Sequence, residues 1–344
     1  MKRLAGVAAA LTAAVVVLAG CSGGSDDGSD IGSDGDALVV YSGRNEALVG
    51  PVLEDFTAAT GIAVDVRYGD TAGMAAQLLE EGDRTPAAVF LSQDAGALGA
   101  LAAEGLLSPL PSEVVADVPA QYRDPADAWV AVTGRARVMV IDPDDVAAPD
   151  APASVYDLTG DAWRSRVAIA PANASFQSFV TGMRVADGDA AAEQWLADMA
   201  ANDVQTYENN VQILEAVEAG QVALGLVNHY YWFERAAEVG TDAMRSVVAY
   251  TEAGDPGSLV NVSGVAVLAG AAEDPRALQL VEYLLSEEAQ TSFAEETFEY
   301  PMIASVPPAA DLVPLVELQG PAIDLSDLAS LPETIEMIQN AGLL

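Results

Sequence analysis

The sequence predicts an α/β protein of two lobes of similar size, and three observations predict it. From Ala37 onward, short β-rich apolar runs alternate with stretches whose apolar residues recur at helical spacing. The first three such pairs run strand–helix–strand–helix–strand–helix, which implies a parallel sheet covered by helices on both faces. Two extended stretches, near 130–140 and 250–265, stand where the chain crosses between lobes.

LVVYS (38–42) reads as a short buried strand. EALVGPVLEDFTAAT (46–60) carries Leu48, Val52, Leu53 and Phe56 at helical spacing, and Gly61 stops it. IAVDVRY (62–68) alternates as a strand does, and TAGMAAQLLEEG (71–82) is helical with a Gly end. AAVFLS (87–92) is a strand and GALGALAAEGLL (96–107) a helix. After a Pro- and Asp-containing stretch, AWVAVTG (128–134) and RVMVID (137–142) read as two strands with little between them. The second half continues with a strand at 166–170, helices at 175–186, 190–201 and 211–220, and a buried strand at 222–227. Strands at 247–250 and 265–270 and an amphipathic helix at 277–286 complete the pattern.

With 344 residues, the chain has length for one large or two ordinary domains, and 51% hydrophobic residues suffice for a core. The 14 basic residues face 52 acidic ones, a formal charge of −38. That field excludes nucleic acid as partner, because phosphate backbones need Lys and Arg. It equally disfavours docking of the folded part on an anionic membrane.

The N-terminus is a processing signal rather than part of the fold. Met1-Lys2-Arg3 is a basic start, Leu4 to Gly20 is apolar, and Leu18-Ala19-Gly20-Cys21 resembles a bacterial lipobox. In such signals residues 1–20 are removed and Cys21 is lipidated. Cys21 is the only cysteine, so an intramolecular disulfide and a thiolate metal cluster are excluded. Residues 21–36 then form a Ser-, Gly- and Asp-rich tether with almost nothing apolar to bury. Without residues 1–20 the chain has 12 Arg, no Lys and all 52 acids, or −40. That balance bears on solubility or a salty habitat, not on the fold.

An enzyme has little to stand on. His229 is the only histidine, and no nucleophile elbow, Walker A or zincin pattern occurs. The informative stretch is GLVNHYYWFER (225–235). A buried strand ends near Val227, Asn228 is a plausible helix N-cap, and Tyr230 and Tyr231 fall in the first turn. The positive end of a helix favours a phenolate, and strand carboxyl ends are where open α/β sheets place ligands. Ordinary aromatic packing is the alternative.

From about residue 37 to 305 the chain resembles the periplasmic ferric-ion-binding proteins of ABC transporters. Several segments carry the resemblance in the family's order: LVVYSGRNEALVGPVLEDFTAATGIAV, TPAAVFLSQDAGAL, WVAVTGRARVMVID, the dityrosyl-like VNHYYWF, and LVNVSGVAVLAG. The resemblance implies the type II two-lobed periplasmic-binding-protein fold, with a ligand cleft between lobes and extended hinge strands. Lobe one is expected over 37–134 with 263–310 returning to it, and lobe two over 135–262 with the C-terminal helices to 344.

The resemblance also implies the site. Tyr230 and Tyr231 become the Fe(III) ligands, hard oxygen donors for a hard cation, and a synergistic anion such as carbonate completes the sphere. Binding then releases phenolic protons. Where relatives carry a first-lobe His and Glu, this chain has Asn45 and Gln93, neither a good anionic ligand. Arg44, with Arg135, is therefore expected to fork onto the anion. Asn173 and Ser175 match the helix N-terminus that holds the anion in the family. Asn210 and Asn228 match polar cleft positions. Phe176 cannot ligate, Tyr41 and Tyr68 read better as strand packing than as a third phenolate, and His229 is a poor first choice for Fe(III).

The expectation is a monomeric lipoprotein at the outer face of the cytoplasmic membrane, the periplasmic side in a Gram-negative cell. It would capture Fe(III) for a permease and ATPase complex. Loss of the first-lobe His and Glu keeps open a binding protein for a small oxyanion such as a phosphonate, with the tyrosines stacking. A secreted carboxylate-dependent enzyme is the remote alternative.

Overall fold

A computed structural model describes residues 37–309 and 311–344. The expected signal, the tether and Cys21 lie outside the described residues. The strands are β1 (Leu38–Ser42), β2 (Val64–Tyr68), β3 (Val89–Ser92), β4 (Leu107–Ser108), β5 (Val130–Ile141), β6 (Val167–Ile169), β7 (Gln205–Thr206), β8 (Leu224–Asn228), β9 (Val247–Ala249), β10 (Val260–Leu268) and β11 (Tyr300–Pro301). The helices are α1 (Glu46–Thr60), α2 (Thr71–Glu81), α3 (Ala95–Ala103), α4 (Ser112–Val115), α5 (Ala174–Asp187), α6 (Asp189–Ala201), α7 (Asn210–Glu218), α8 (His229–Val239), α9 (Pro275–Leu284), α10 (Glu287–Thr297) and α11 (Leu331–Asn340).

The strands form one mixed sheet in the order β2-β1-β3-β10-β5-β8-β6-β7, with β4 on β10 and both β9 and β11 on β5. The expected parallel pairing holds for β2-β1-β3 and for β8-β6-β7. It fails in the middle, where β10 runs antiparallel to β3 and β5, and β5 antiparallel to β8.

The two strands expected at 128–134 and 137–142 are one continuous strand, β5, buried throughout. Its residues up to Ala136 pair with β10, and Arg137–Ile141 pair with β8. Gly134 and Arg135 look like a turn in the sequence. Both pair with β10, and β11 flanks Gly134 on the other edge, so backbone hydrogen bonds keep them extended. β5 thus joins the two halves of the sheet. β10 begins at Val260, five residues earlier than expected, because its start pairs with this same crossing.

The second half is packed around Phe176, Phe179 and Trp195, whose ring centroids lie 5.5–6.2 Å apart. The Trp195 indole N–H donates to Val155 O at 2.9 Å, which satisfies its polar edge. Phe176 is fully buried in this cluster.

Candidate metal centre

The carboxyl ends of β3, β6 and β8 open onto one cavity of about 170 Å³, lined among others by Gln93, Arg135, Arg137, Ser175, Tyr230 and Tyr231. β8 ends at Asn228, whose extended backbone (φ −81°, ψ 143°) makes it the N-cap of α8. Its side chain makes no cap hydrogen bond. It turns instead toward Arg137, its register partner on β5.

The two tyrosines follow in the first helical turn, with ring centroids 4.3 Å apart and planes at 35°. Their neighbours hold the turn in place. The Trp232 indole N–H donates to Ser246 O at 3.1 Å. His229 is fully buried: its Nδ1 accepts from the Ala136 N–H at 3.2 Å, so Nε2 carries the proton and donates to Phe298 O at 2.8 Å. Both ring nitrogens are engaged, which makes His229 an anchor for α8 and not a ligand.

Burial lowers the His229 pKa to about 4. Below its free value of 6.5 the unfolded chain therefore binds a proton that the fold does not. Stability is expected to fall by up to roughly 3 kcal/mol as pH drops from 6.5 toward 4. Urea unfolding at stepped pH checks this, and a flat profile across that window would contradict it.

Burial, then its neighbour Tyr231, pushes the Tyr230 hydroxyl well above the usual phenol range, against the opposing pull of Arg135. Tyr230 is thus a protonated phenol at neutral pH, and only a strong Lewis acid in the cavity would displace that proton.

Two guanidiniums face the tyrosines. Period-two alternation puts Arg135 and Arg137 on one face of β5, opposite Asn261 on β10 and Asn228 on β8 respectively. Arg137 is buried, and the hydrogen bonds it donates all go to neutral acceptors. They are Leu226 O at 2.8 Å, Ser175 Oγ and Asn210 Oδ1 at 3.2 Å, and Asn228 Oδ1 at 3.4 Å. Among the described residues its Nε has no partner. Burial lowers its pKa to about 9, against the opposing influence of Tyr231 and Tyr230. A buried cation without a carboxylate partner is an electrostatic demand for negative charge in the cavity.

The expected site residues separate into two groups. Tyr230, Tyr231, Gln93, Asn173, Ser175, Asn228 and Arg135 line the cavity. Asn173 caps α5 and accepts from Ser175 Oγ at 2.7 Å. Asn210 lies one layer behind, donating to Ser175 Oγ at 3.0 Å and accepting from Arg137. Arg135 donates to the Gln93 carbonyl.

Arg44 and Asn45 do not line the cavity. Asn45 is the N-cap of α1 and accepts from the Ala47 N–H at 2.9 Å. Arg44, expected on the anion, is buried in an ion pair with Glu299 at 2.8 Å and donates to Thr133 Oγ1 at 3.0 Å. The carboxylate took the guanidinium out of reach. Tyr41 is committed to Glu81 and Arg67, and neither it nor Tyr68 lines the cavity.

The lining residues that sequence reasoning missed include Arg137, Asn261 and Asp94. Arg137 was obscured because 137 was read as the start of a new strand; in one strand it shares a face with Arg135. Asn261 lay before the expected start of β10. Asp94 is the one carboxylate among the lining residues, and its Oδ1 caps α3 by accepting from the Ala97 N–H at 3.2 Å. Among the described residues no cluster of three or more His, Cys, Asp or Glu forms a metal site. The side-chain oxygens that line the cavity include the Tyr230 and Tyr231 phenols and the Asp94 carboxylate.

A sheet in two halves that share β5, with a polar cleft at the strand ends, defines a two-lobed solute-binding protein. The chain belongs to the bacterial extracellular solute-binding protein family, whose model matches residues 84–317. It is therefore a carrier of solute outside the cytoplasm rather than an enzyme. It is 32% identical over 308 residues to the Fe(3+)-binding periplasmic protein of Serratia marcescens, covering 89% of this chain and 90% of that protein. It is also 32% identical over 346 residues to the major ferric iron-binding protein of Neisseria meningitidis serogroup B, covering 99% and 98%. Among solved structures, iron-bound HitA from Pseudomonas aeruginosa superposes with a TM-score of 0.80 at 34% identity, covering 89% of this chain and 99% of that one. Trichodesmium IdiA (FutA) in complex with iron and citrate gives 0.78 at 27% identity, covering 90% and 100%.

Proposed function

We propose that this protein captures Fe(III) in the cleft, with Tyr230 and Tyr231 as ligands, and delivers it to an ABC permease and its ATPase. The observation that carries the reading is the pair of stacked phenols at the positive end of α8, facing two guanidiniums. Fe(III) displaces both phenolic protons, so affinity rises with pH. A synergistic anion such as carbonate sits against Arg137, Arg135 and the N-terminus of α5 at Asn173–Ser175. Arg44 plays no part in holding it.

The division of labour is testable. Arg137→Gln is expected to abolish stimulation of iron retention by bicarbonate. It should weaken retention about 10–100-fold, as loss of an outer partner to a metal site does, while leaving the phenolate ligands in place. Retention measured against a competing chelator, with and without bicarbonate, checks this; unchanged bicarbonate dependence would remove Arg137 from the anion site. The paired guanidiniums also suit a small oxyanion such as a phosphonate without metal. Phosphonate binding to the metal-free protein, with no iron retained, would favour that reading.

The lobes divide near Arg135 and again near Val262, and the protein acts as a monomer tethered by lipid at Cys21. Cys21→Ser is expected to release the protein to the medium or leave it unprocessed. Normal processing and anchoring of that variant, read by fractionation and mass, would overturn the anchor.

A further inference from the structure

Residues 325–340 touch both halves of the fold, and they do so on the two helices whose N-termini meet at the cleft. α3 presents Gln93 and Asp94 to the cavity from the first half, and α5 presents Asn173 and Ser175 from the second. A 3-10 turn at Leu325–Ala329 lies across α3. The approach is so close that a Cβ at Gly96 would stand 2.6 Å from the Leu328 carbonyl oxygen, and one at Gly99 would collide with the Ser326 carbonyl. Both neighbours are backbone, so only glycine permits the contact. Leu325 and Leu328 are buried there, and the Trp129 indole N–H donates to Ser326 Oγ at 3.2 Å.

Beyond Ser330 the chain becomes α11 and lies on α5 and α6. Thr334 Oγ1 and Thr181 Oγ1 share a hydrogen bond of 2.8 Å. Arg184 donates to Thr334 Oγ1 at 2.9 Å and to the Ser330 carbonyl at 2.6 Å. Ile338 is fully buried in the core of the second half. The second anchor begins at Ser330, directly after the first ends at Ala329.

We propose that residues 325–340 are a strap that limits how far the cleft opens. β5 and β10 are extended crossings able to bend, and bending there changes the spacing of α3 and α5. The strap opposes that change by chain length. One extended residue spans at most ~3.6 Å, so a wider opening must detach an anchor. The strap therefore biases the metal-free protein toward the closed geometry and slows escape of whatever the cleft holds.

The test uses the full chain with two variants remote from the cavity. Gly99→Ala displaces the first anchor, and the double variant Arg184→Leu/Thr334→Val removes the polar part of the second. Small-angle scattering of the metal-free proteins is expected to show a larger radius of gyration in both variants than in the wild type. Iron release to a competing chelator is expected to accelerate about ten-fold, within the usual range of coupling between sites. Thermal unfolding of the same samples shows that each is folded; if Gly99→Ala is not, the double variant decides. Wild-type scattering from a folded double variant would overturn the strap. The release measurement rests on the ferric reading, whereas the scattering does not. Should no version hold iron, the ferric reading falls and scattering still decides the strap.

Discussion

Tyr230→Phe/Tyr231→Phe is expected to fold as the wild type does and to lose Fe(III) almost completely. The substitution removes two hydroxyl oxygens and leaves both rings, so the ring contact at 4.3 Å and the anchoring of α8 by His229 and Trp232 persist. Loss of outer partners weakens metal sites by about 10–100-fold. Loss of both anionic ligands must exceed that, because no cluster of other ligating side chains among the described residues replaces them. Retention of iron against citrate, measured beside thermal unfolding, separates binding from folding. A folded double variant that still retains iron would mean that the tyrosines only pack.

Glu299→Ala is expected to be among the most destabilising single changes in the chain. The Glu299 carboxylate is buried, accepts from Thr133 Oγ1 and from Arg44 at 2.8 Å, and stands 3.9 Å from Arg135. Burial by itself raises its pKa, but Arg44 and Arg135 overcome that and hold it below the ordinary carboxylate range. Removing it leaves two buried guanidiniums without their counter-charge. Breaking a buried pair in this way costs about 3–5 kcal/mol. The urea midpoint reports the loss if the slope is unchanged. Because the folded pKa lies below the free value of 4.5, this stabilisation is present above that pH and disappears as acid titrates the carboxylate. A midpoint equal to that of the wild type would show that the two arginines find other partners.

The helices were the most legible part of the sequence. α1 occupies 46–60 as its apolar spacing and the Gly61 stop imply, and Gly61 takes the left-handed conformation (φ 75°) that a helix stop favours. The Asn228–Tyr231 turn was legible because a buried strand ran straight into aromatic residues. Long-range pairing was not. Arg44 and Glu299 are 255 positions apart, and nothing local to Arg44 reveals that its charge is already matched. Arg137 was hidden by Gly134, which suggests a break in sequence and is an ordinary strand residue once β10 and β11 flank it. The resting place of residues 325–340 depends on two glycines more than 200 positions upstream, a dependence with no periodic signature.

The most direct test is an absorption titration of the purified protein with chelated Fe(III), with and without bicarbonate. A visible phenolate-to-iron charge-transfer band that saturates at one iron per chain, and grows stronger or tighter with bicarbonate, is the predicted result. Absence of the band, with no iron retained after gel filtration, would contradict the assignment of Tyr230 and Tyr231 as ferric ligands.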